Sequence, residues 1–215
     1  MQSESVRSVD RISRKRVEKF SERRMELADA ALVTLAQLGY ARTSLREIAQ
    51  NSEFSHGVLH YYFNDKVDLI TCCVKLYKSR CVTRYDAVIE QAMSYDELAD
   101  GFLDSLCATV REEAHLHRLW YDLRSQALFE PAFRADVLAI DRTLEAMIWR
   151  VMTRLAALQD TPLTVPAALA YAIFDGLFQQ CLLKHLAGDA GAIGLMRASG
   201  LSSLQHMFDP VSPRR

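Results

Sequence analysis

A chain of 215 residues, half of them apolar, can bury a sizeable core, either as one compact unit or as a small module beside a larger one. That excludes disorder along most of its length. The net charge of −1 is unevenly spread, with eleven Lys/Arg against nine Asp/Glu in residues 1–66 and fifteen against eighteen in residues 67–215. Five cysteines (Cys72, Cys73, Cys81, Cys107, Cys181) without Cys-x-x-Cys spacing, no signal peptide and no apolar run of membrane length predict a reducing, cytoplasmic setting and no membrane partner.

Residues 1–24 hold eight basic side chains (Arg7, Arg11, Arg14, Lys15, Arg16, Lys19, Arg23, Arg24) against four acids. Over residues 1–12 this reads as a solvated tail; over residues 7–19 it also reads as an arm that follows a phosphate backbone or enters a minor groove. The periodicity predicts a first helix from about Arg16 or Ser21 through Met25, Leu27, Ala31 and Leu35 to Leu38, where Gly39 ends it. Ser44-x-x-Glu47 is a capping box opening a second, short helix that Asn51 and Ser52 interrupt. Ser55 opens a third. Asn64, Asp65 and Asp68 open a fourth, expected to run from Asp65 to about Val88.

Further along, Ser94-x-x-Glu97 starts a helix through Phe102, Leu106 and Val110, followed by a separate one over Leu119–Phe129 that Glu130-Pro131 stops. Helices over Phe133–Leu158, Val165–Leu186 and Ala192–Phe208 complete an expected count of about nine, with a frayed tail over Asp209–Arg215. The fold class is therefore all-α. The domains read as 1–66, a basic extension with a DNA-binding module, and 67–215, an effector-binding and dimerisation part.

Two short capped helices after a longer one suit a helix-turn-helix, since two turns suffice to set a recognition helix in the major groove while its neighbour braces on the backbone. Leu45, Ile48, Ala49, Phe54, Val58, Leu59, Tyr62 and Phe63 are then expected to form a small core with Leu27, Ala31, Leu32 and Leu35, Ala49 being small where the two helices approach most closely. Ser55, His56, Gly57, Val58, His60 and Tyr61 occupy the start and outer face of the recognition helix, with Gly57 permitting close backbone approach and Val58 able to touch a thymine methyl. Ser44, Arg46 and Lys66 are placed for phosphates.

The stretch from Thr43 to Ile70, "TSLREIAQNSEFSHGVLHYYFNDKVDLI", resembles the DNA-binding segment of the TetR (tetracycline repressor) family of transcriptional regulators. The match lies in the Thr/Ser start, the Arg-acid-Ile-Ala core, the Ser-x-Gly entry to the recognition helix, the Tyr-Tyr-Phe finish and Lys66. Looser similarity covers the rest, including Asp175-Gly176-Leu177. The stretches "RLWYDLRSQALFEPAFRADV" and "PAALAYAIFDGLFQQCLL" look similar to the choline-regulator (BetI-like) branch. Two departures stand out. Glu53 replaces the family's usual glycine, so either a left-handed residue costs about 1 kcal/mol or the turn has relaxed. His60 replaces the usual tyrosine, exchanging a phosphate-reaching hydroxyl for an imidazole that can donate to phosphate or read a base edge.

In the C-terminal part, Trp120, Tyr121, Arg124, Gln126, Phe174, Phe178 and Gln179 either line an effector pocket or belong to the core. A buried Arg124 needs an anion, from Asp175 or from an acidic ligand; the choline-branch resemblance implies instead a quaternary amine on Trp120 or Tyr121. No metal site is expected, because His115 and His117, two residues apart, point to different sides of a helix. No cofactor is expected either. The chain shows no nucleophile elbow or glycine-rich phosphate loop, so no enzymatic activity is assigned. The function expected is a ligand-responsive repressor released from an operator by a small molecule. It is expected to be a homodimer through Val165–Leu186 and Ala192–Phe208, with the fourth helix as the lever. The competing reading is a helical interaction protein or enzyme whose helix-turn-helix does not bind DNA.

Overall fold

The computed structural model describes the backbone of residues 2–39 and 43–208, and the side chains of 15–39 and 43–208. Those residues form nine α-helices, one 3-10 turn and no β-strand; the chain divides into two compact units, 1–77 and 78–215. The division falls inside a helix, later than the boundary at 66/67 expected from the sequence.

In the first unit, α1 (Gln2–Leu38) buries a stripe of Leu27, Ala28, Ala31, Leu32 and Leu35, which fall on one face at helical spacing. Gly39 ends it with φ +77, its N–H donating to Leu35 O at 2.8 Å, a conformation other residues reach only with strain. α2 (Leu45–Gln50) and α3 (His56–Tyr62) each start at a serine: Ser44 Oγ accepts from Glu47 N–H at 3.2 Å and Ser55 Oγ from Val58 N–H at 3.3 Å. Leu45, Ile48, Leu59 and Phe63 close on the α1 stripe, each fully buried aliphatic contributing about 1.5–3 kcal/mol. Ala49, Phe54, Val58 and Tyr62, expected in this core, are half-buried at its margin.

α4 (Lys66–Cys81) begins in the same unit. Its Cys73 thiol donates to Ala28 O at 3.1 Å, and Asp68 pairs with Arg24 at 2.5 Å. Arg24 also lies 4.7 Å above the Phe63 ring and Arg23 lies 5.4 Å above Phe54, so two residues of the basic run pack on this core.

In the second unit, α6 (Tyr95–Gln126), α7 (Arg134–Gln159), α8 (Ala167–Leu186) and α9 (Ala192–Gln205) pack together, with α5 (Asp86–Gln91) against α6 and α7 and a 3-10 turn at Pro131–Phe133 before α7. Phe102, Leu103, Leu123, Phe133, Val151, Met152 and Phe174 are fully enclosed. α9 crosses α6 closely at Gly200, where a Cβ would stand 2.6 Å from Leu103 Cδ2. Thr164 N–H donates to Met207 O at 2.9 Å, fastening the α7–α8 loop to the segment after α9.

Several boundaries differ from expectation. α1 begins at Gln2, not at Arg16 or Ser21, so the expected tail over 1–12 is helical from residue 2; the side chains of Arg7, Arg11 and Arg14 lie outside the described residues. The fourth helix stops at Cys81 rather than Val88, and α5 follows separately, because Tyr85 turns inward against Phe102 (ring centroids 4.9 Å) and Arg84 is drawn to Thr109 and Glu113. The two helices expected between Ser94 and Phe129 are one, kinked at Glu113 (φ −125°, ψ 21°) and ending at Gln126. The last helix ends at Gln205 rather than Phe208, and the tail over Asp209–Arg215 lies outside the described residues. Glu53 does not adopt a left-handed conformation: among the described non-glycine residues only Asp160, capping α7 with φ 51°, has positive φ. The α2–α3 turn has therefore relaxed, and the strain cost does not arise.

Candidate functional site

The first unit offers a contiguous outer face on α3. His56, Gly57, His60 and Tyr61 are exposed, Tyr61 by 72% of its surface, while Leu59 on the opposite side is fully buried. The burial pattern is thus what fixes which side of α3 faces outward. His56 and His60, one turn apart, approach at 3.1 Å between their Nε2 atoms, so one imidazole donates to the other. Tyr62 packs on Phe20 of α1, with centroids 4.9 Å apart. A Cβ on Gly57 would meet only Ser55 Oγ, at 4.0 Å, leaving the backbone open to close approach. Ser44, Arg46 and Ser55 are exposed, and Val58 and Lys66 half-buried.

The second unit has a partly open cavity of about 60 Å³ between the end of α4 and helices α6, α7 and α8. Trp120, Tyr121, Phe174 and Phe178 line it, together with Leu144, Met147 and Ile148. Arg124 and Gln179 are not among its lining residues. Gln179 instead borders an open surface groove with Arg118, Gly176 and Leu183, and Gln126 turns to Asp122. Lys78, Arg84, Tyr85, His117 and Tyr171, none of them assigned to a pocket from the sequence, also line the cavity.

Two polar clusters border this space. At one end, Arg124 pairs with Asp175 and, at 3.4 Å, with Asp141; Tyr121 donates to Asp175 at 2.9 Å and Tyr171 to Asp141 at 2.7 Å. Asp175 thereby supplies the anion that Arg124 requires, and the network ties α6, α7 and α8 together. Burial, with Asp175 beside it, pushes the Tyr121 hydroxyl's pKa far up, and burial does the same for Tyr171, so both remain donors.

At the other end, Lys78 Nζ lies 3.3 Å from His117 Nδ1 and 5.2 Å over the Trp120 ring. Burial lowers the Lys78 ammonium to a pKa of about 8 and, with Lys78 and Arg84 adding to it, holds His117 well below its ordinary value, so the imidazole is neutral at pH 7. Arg84 donates to Thr109 and, at 2.6 Å, to Glu113. The Trp120 indole N–H is buried without a hydrogen-bond acceptor among the described residues.

His115 is exposed and His117 buried, on opposite sides of α6 as their spacing predicts. Three other ligand types do gather. Atoms of Cys81, Glu113 and His117 lie within 4.8 Å of one another. The Arg84 guanidinium stands among them, 2.6 Å from Glu113 and 3.8 Å from Cys81 Sγ, and supplies positive charge where a cation would sit.

Residues 27–71 match the family of bacterial regulatory proteins, tetR family. The chain is 40% identical over 53 residues to an HTH-type transcriptional regulator BetI of Paraburkholderia xenovorans, a match spanning 25% of this chain and only 27% of that relative. Solved structures extend the likeness in fold. A transcriptional regulator from Saccharomonospora viridis in complex with choline superposes with a TM-score of 0.70 at 18% identity, covering 87% of this chain and 98% of that one. The regulator FadR of Bacillus subtilis, in complex with stearoyl-CoA, gives 0.66 at 17% identity, covering 84% and 96%. No helix among the described residues is long and apolar enough to cross a membrane.

Proposed function

We propose that the chain, whose residues 27–71 match the tetR family of bacterial regulatory proteins and whose fold superposes on solved transcriptional regulators, is a ligand-responsive, DNA-binding transcriptional regulator, a repressor released from its operator by a small molecule. The observation that carries this reading is the outer face of α3. Two serine-capped helices are fixed by a buried seam, and the exposed one presents His56, Gly57, His60 and Tyr61 together, with Val58 at the edge. In a major groove these residues read base edges, while Ser44, Arg46, Ser55 and Lys66 hold phosphates.

The protein acts as a homodimer, so that two copies of α3 enter successive grooves of a roughly palindromic site. Support comes from α8 and α9, which bury Phe174, Phe178, Cys181 and Met196 on one side yet expose Leu169, Leu183, Leu186 and Leu195 on the other. Four exposed leucines on neighbouring helices are a face that a second copy covers. The largely apolar cavity is the effector site, and α4, which contributes Lys78 and Cys81 to its wall, transmits occupancy toward the DNA-reading module. Such a regulator works in the cytoplasm and performs no catalysis.

The test is selection of bound sequences from a random duplex library, followed by anisotropy titrations of the purified protein at several salt concentrations. A palindromic consensus is expected, with Lys66→Ala weakening all sequences and shallowing the salt slope, and with His60→Ala or Val58→Ala changing the preferred sequence. If all three variants lose affinity equally on every sequence, α3 does not read bases. If no salt-dependent binding occurs, the chain is a helical interaction protein.

A further inference from the structure

We infer that His56 and His60, on the outer face of α3, form a chelating site for a divalent transition-metal ion (copper, nickel or zinc), and that the ion, once bound, withdraws both imidazoles from base reading. The metal site stands on its own geometry; its effect on DNA rests on the DNA-binding reading above.

The spacing rule that separates His115 from His117 brings these two together, because residues four apart on a helix lie one above the other on the same face. Both are exposed, and their Nε2 atoms stand 3.1 Å apart with the rings at 79°. That separation is the bite of a metal chelate. With metal–nitrogen bonds of about 2.05 Å, nitrogens 3.1 Å apart subtend about 100° at the ion, between the roughly 90° of square or octahedral coordination and the roughly 109° of a tetrahedron. The ion stands about 1.3 Å off the line joining the nitrogens, so each ring re-aims its lone pair by about 40°, a turn that the broad χ2 of histidine allows.

The backbone that carries the pair is held along its length. Ser55 caps the start of α3, Leu59 between the two histidines is fully buried, and Tyr62 packs on Phe20 with centroids 4.9 Å apart, so little ordering is needed on binding. At Cys81, Glu113 and His117 the Arg84 guanidinium already supplies positive charge, whereas the His56 and His60 rings meet at the surface. Among the described residues no third His, Cys, Asp or Glu gathers with the pair, so water fills the remaining positions. Imidazole ligands suit copper, nickel and zinc; magnesium and calcium take oxygen. In the hydrogen-bonded pair one ring is protonated at Nε2 and the other at Nδ1. Chelation needs both at Nδ1, so the donor ring's proton passes from Nε2 to Nδ1 through solvent and no net proton is released. A nitrogen bonded to the ion neither donates to nor accepts from a base edge, and the added positive charge strengthens attraction to any phosphate. Sequence preference falls on both counts.

The experiment is isothermal titration calorimetry of the full chain, under a non-thiol reductant, with nickel chloride and with magnesium chloride. Because the second imidazole binds intramolecularly, His56→Ala or His60→Ala should weaken nickel at this site by about a hundredfold, and magnesium should not bind there. The double substitution His60→Ala with Tyr61→His keeps the number of histidines but moves one round the helix, and should bind nickel as weakly as His60→Ala. Circular dichroism melts would establish that the variants are folded. Nickel binding unchanged in the single variants, full binding by the displaced pair, or no nickel binding at all would overturn the site. Anisotropy titrations on a selected duplex and a scrambled one, in nickel or in EDTA, test the consequence for DNA. Nickel should lower the ratio of the two affinities about tenfold for the parent and leave the ratio of His60→Ala unchanged. Nickel that binds the pair without changing the parent's ratio refutes the effect on base reading alone, whereas no sequence-selective binding in EDTA refutes the DNA-binding reading.

Discussion

Lys78 is 3% exposed and its pKa falls from 10.5 to about 8, which makes it a measurable burden on the fold. Each pKa difference of one corresponds to 1.36 kcal/mol, so carrying the charge inside costs about 3 kcal/mol relative to a neutral amine. The sign follows from proton counts. Between pH 8 and pH 10.5 the unfolded chain binds more protons at this lysine than the folded one does, so stability rises with pH across that window, whereas below it both states are protonated and the penalty is constant. Lys78→Met removes the charge at similar length. It also removes the 3.3 Å contact with His117 Nδ1, whose loss costs about 1–3 kcal/mol and offsets much of the gain at pH 7. The sharp expectation is therefore the slope. Burial raises the Cys73 thiol and the Tyr85 hydroxyl, which lowers stability with rising pH in both proteins and cancels in the difference. Urea unfolding followed by circular dichroism from pH 7 to pH 10 should show the parent gaining on Lys78→Met by up to about 3 kcal/mol, most of it above pH 8. Parallel profiles would mean that Lys78 reaches water.

Burial holds His117 below its ordinary 6.5, so the unfolded chain takes up a proton first and stability should fall as pH drops below about 6.5; a His117→Gln variant whose melting temperature declines just as steeply in acid would contradict this. Gly39→Ala places a side chain at φ +77 and should cost about 1–2 kcal/mol in urea unfolding, with no loss if the α1 terminus can rearrange. Leu183, exposed by 71% on the face assigned to a second copy, should on conversion to Glu yield monomers by sedimentation velocity at micromolar concentration, and an unchanged dimer would move the interface elsewhere.

The elements most legible in the sequence were those whose signals are local. Ser44, Ser55 and Ser94 each cap a helix start, Gly39 ends one, and the stripe from Leu27 to Leu35 faces inward. The boundaries that escaped are set by distant partners. Nothing between Val82 and Tyr85 breaks a helix by propensity; α4 stops there because Tyr85 is buried on Phe102 and Arg84 is held by Thr109 and Glu113 of α6. The polar run from Arg111 to Arg118 reads as a gap between helices, yet α6 passes through it with a kink at Glu113, whose carboxylate is the one that meets Arg84. One ion pair therefore sits at both misread boundaries, and no pattern within either segment alone announces it.

The cavity divides the same way. Trp120, Tyr121, Phe174 and Phe178 are bulky residues at helical spacing, a signal that marks an inward face without saying whether the face is filled. Lys78 carried a weaker signal that was available: Ile70, Val74, Lys78 and Cys81 follow one another at helical intervals, and the other three are buried, so the lysine had to lie on an inward row. His117 follows Val110 and Ala114 along α6 in the same way. A charged residue on an apolar row is readily taken for the edge of a face, because burying it is costly unless something meets it. That cost is the informative quantity. Arg124 meets it with Asp175 and Asp141, whereas Lys78 has a neutral imidazole and an indole face against it, and Asp175 and Glu113 offset only part of its burial. The stability deficit expected at Lys78 is thus the cost of its burial, and Lys78→Met should remove its pH dependence.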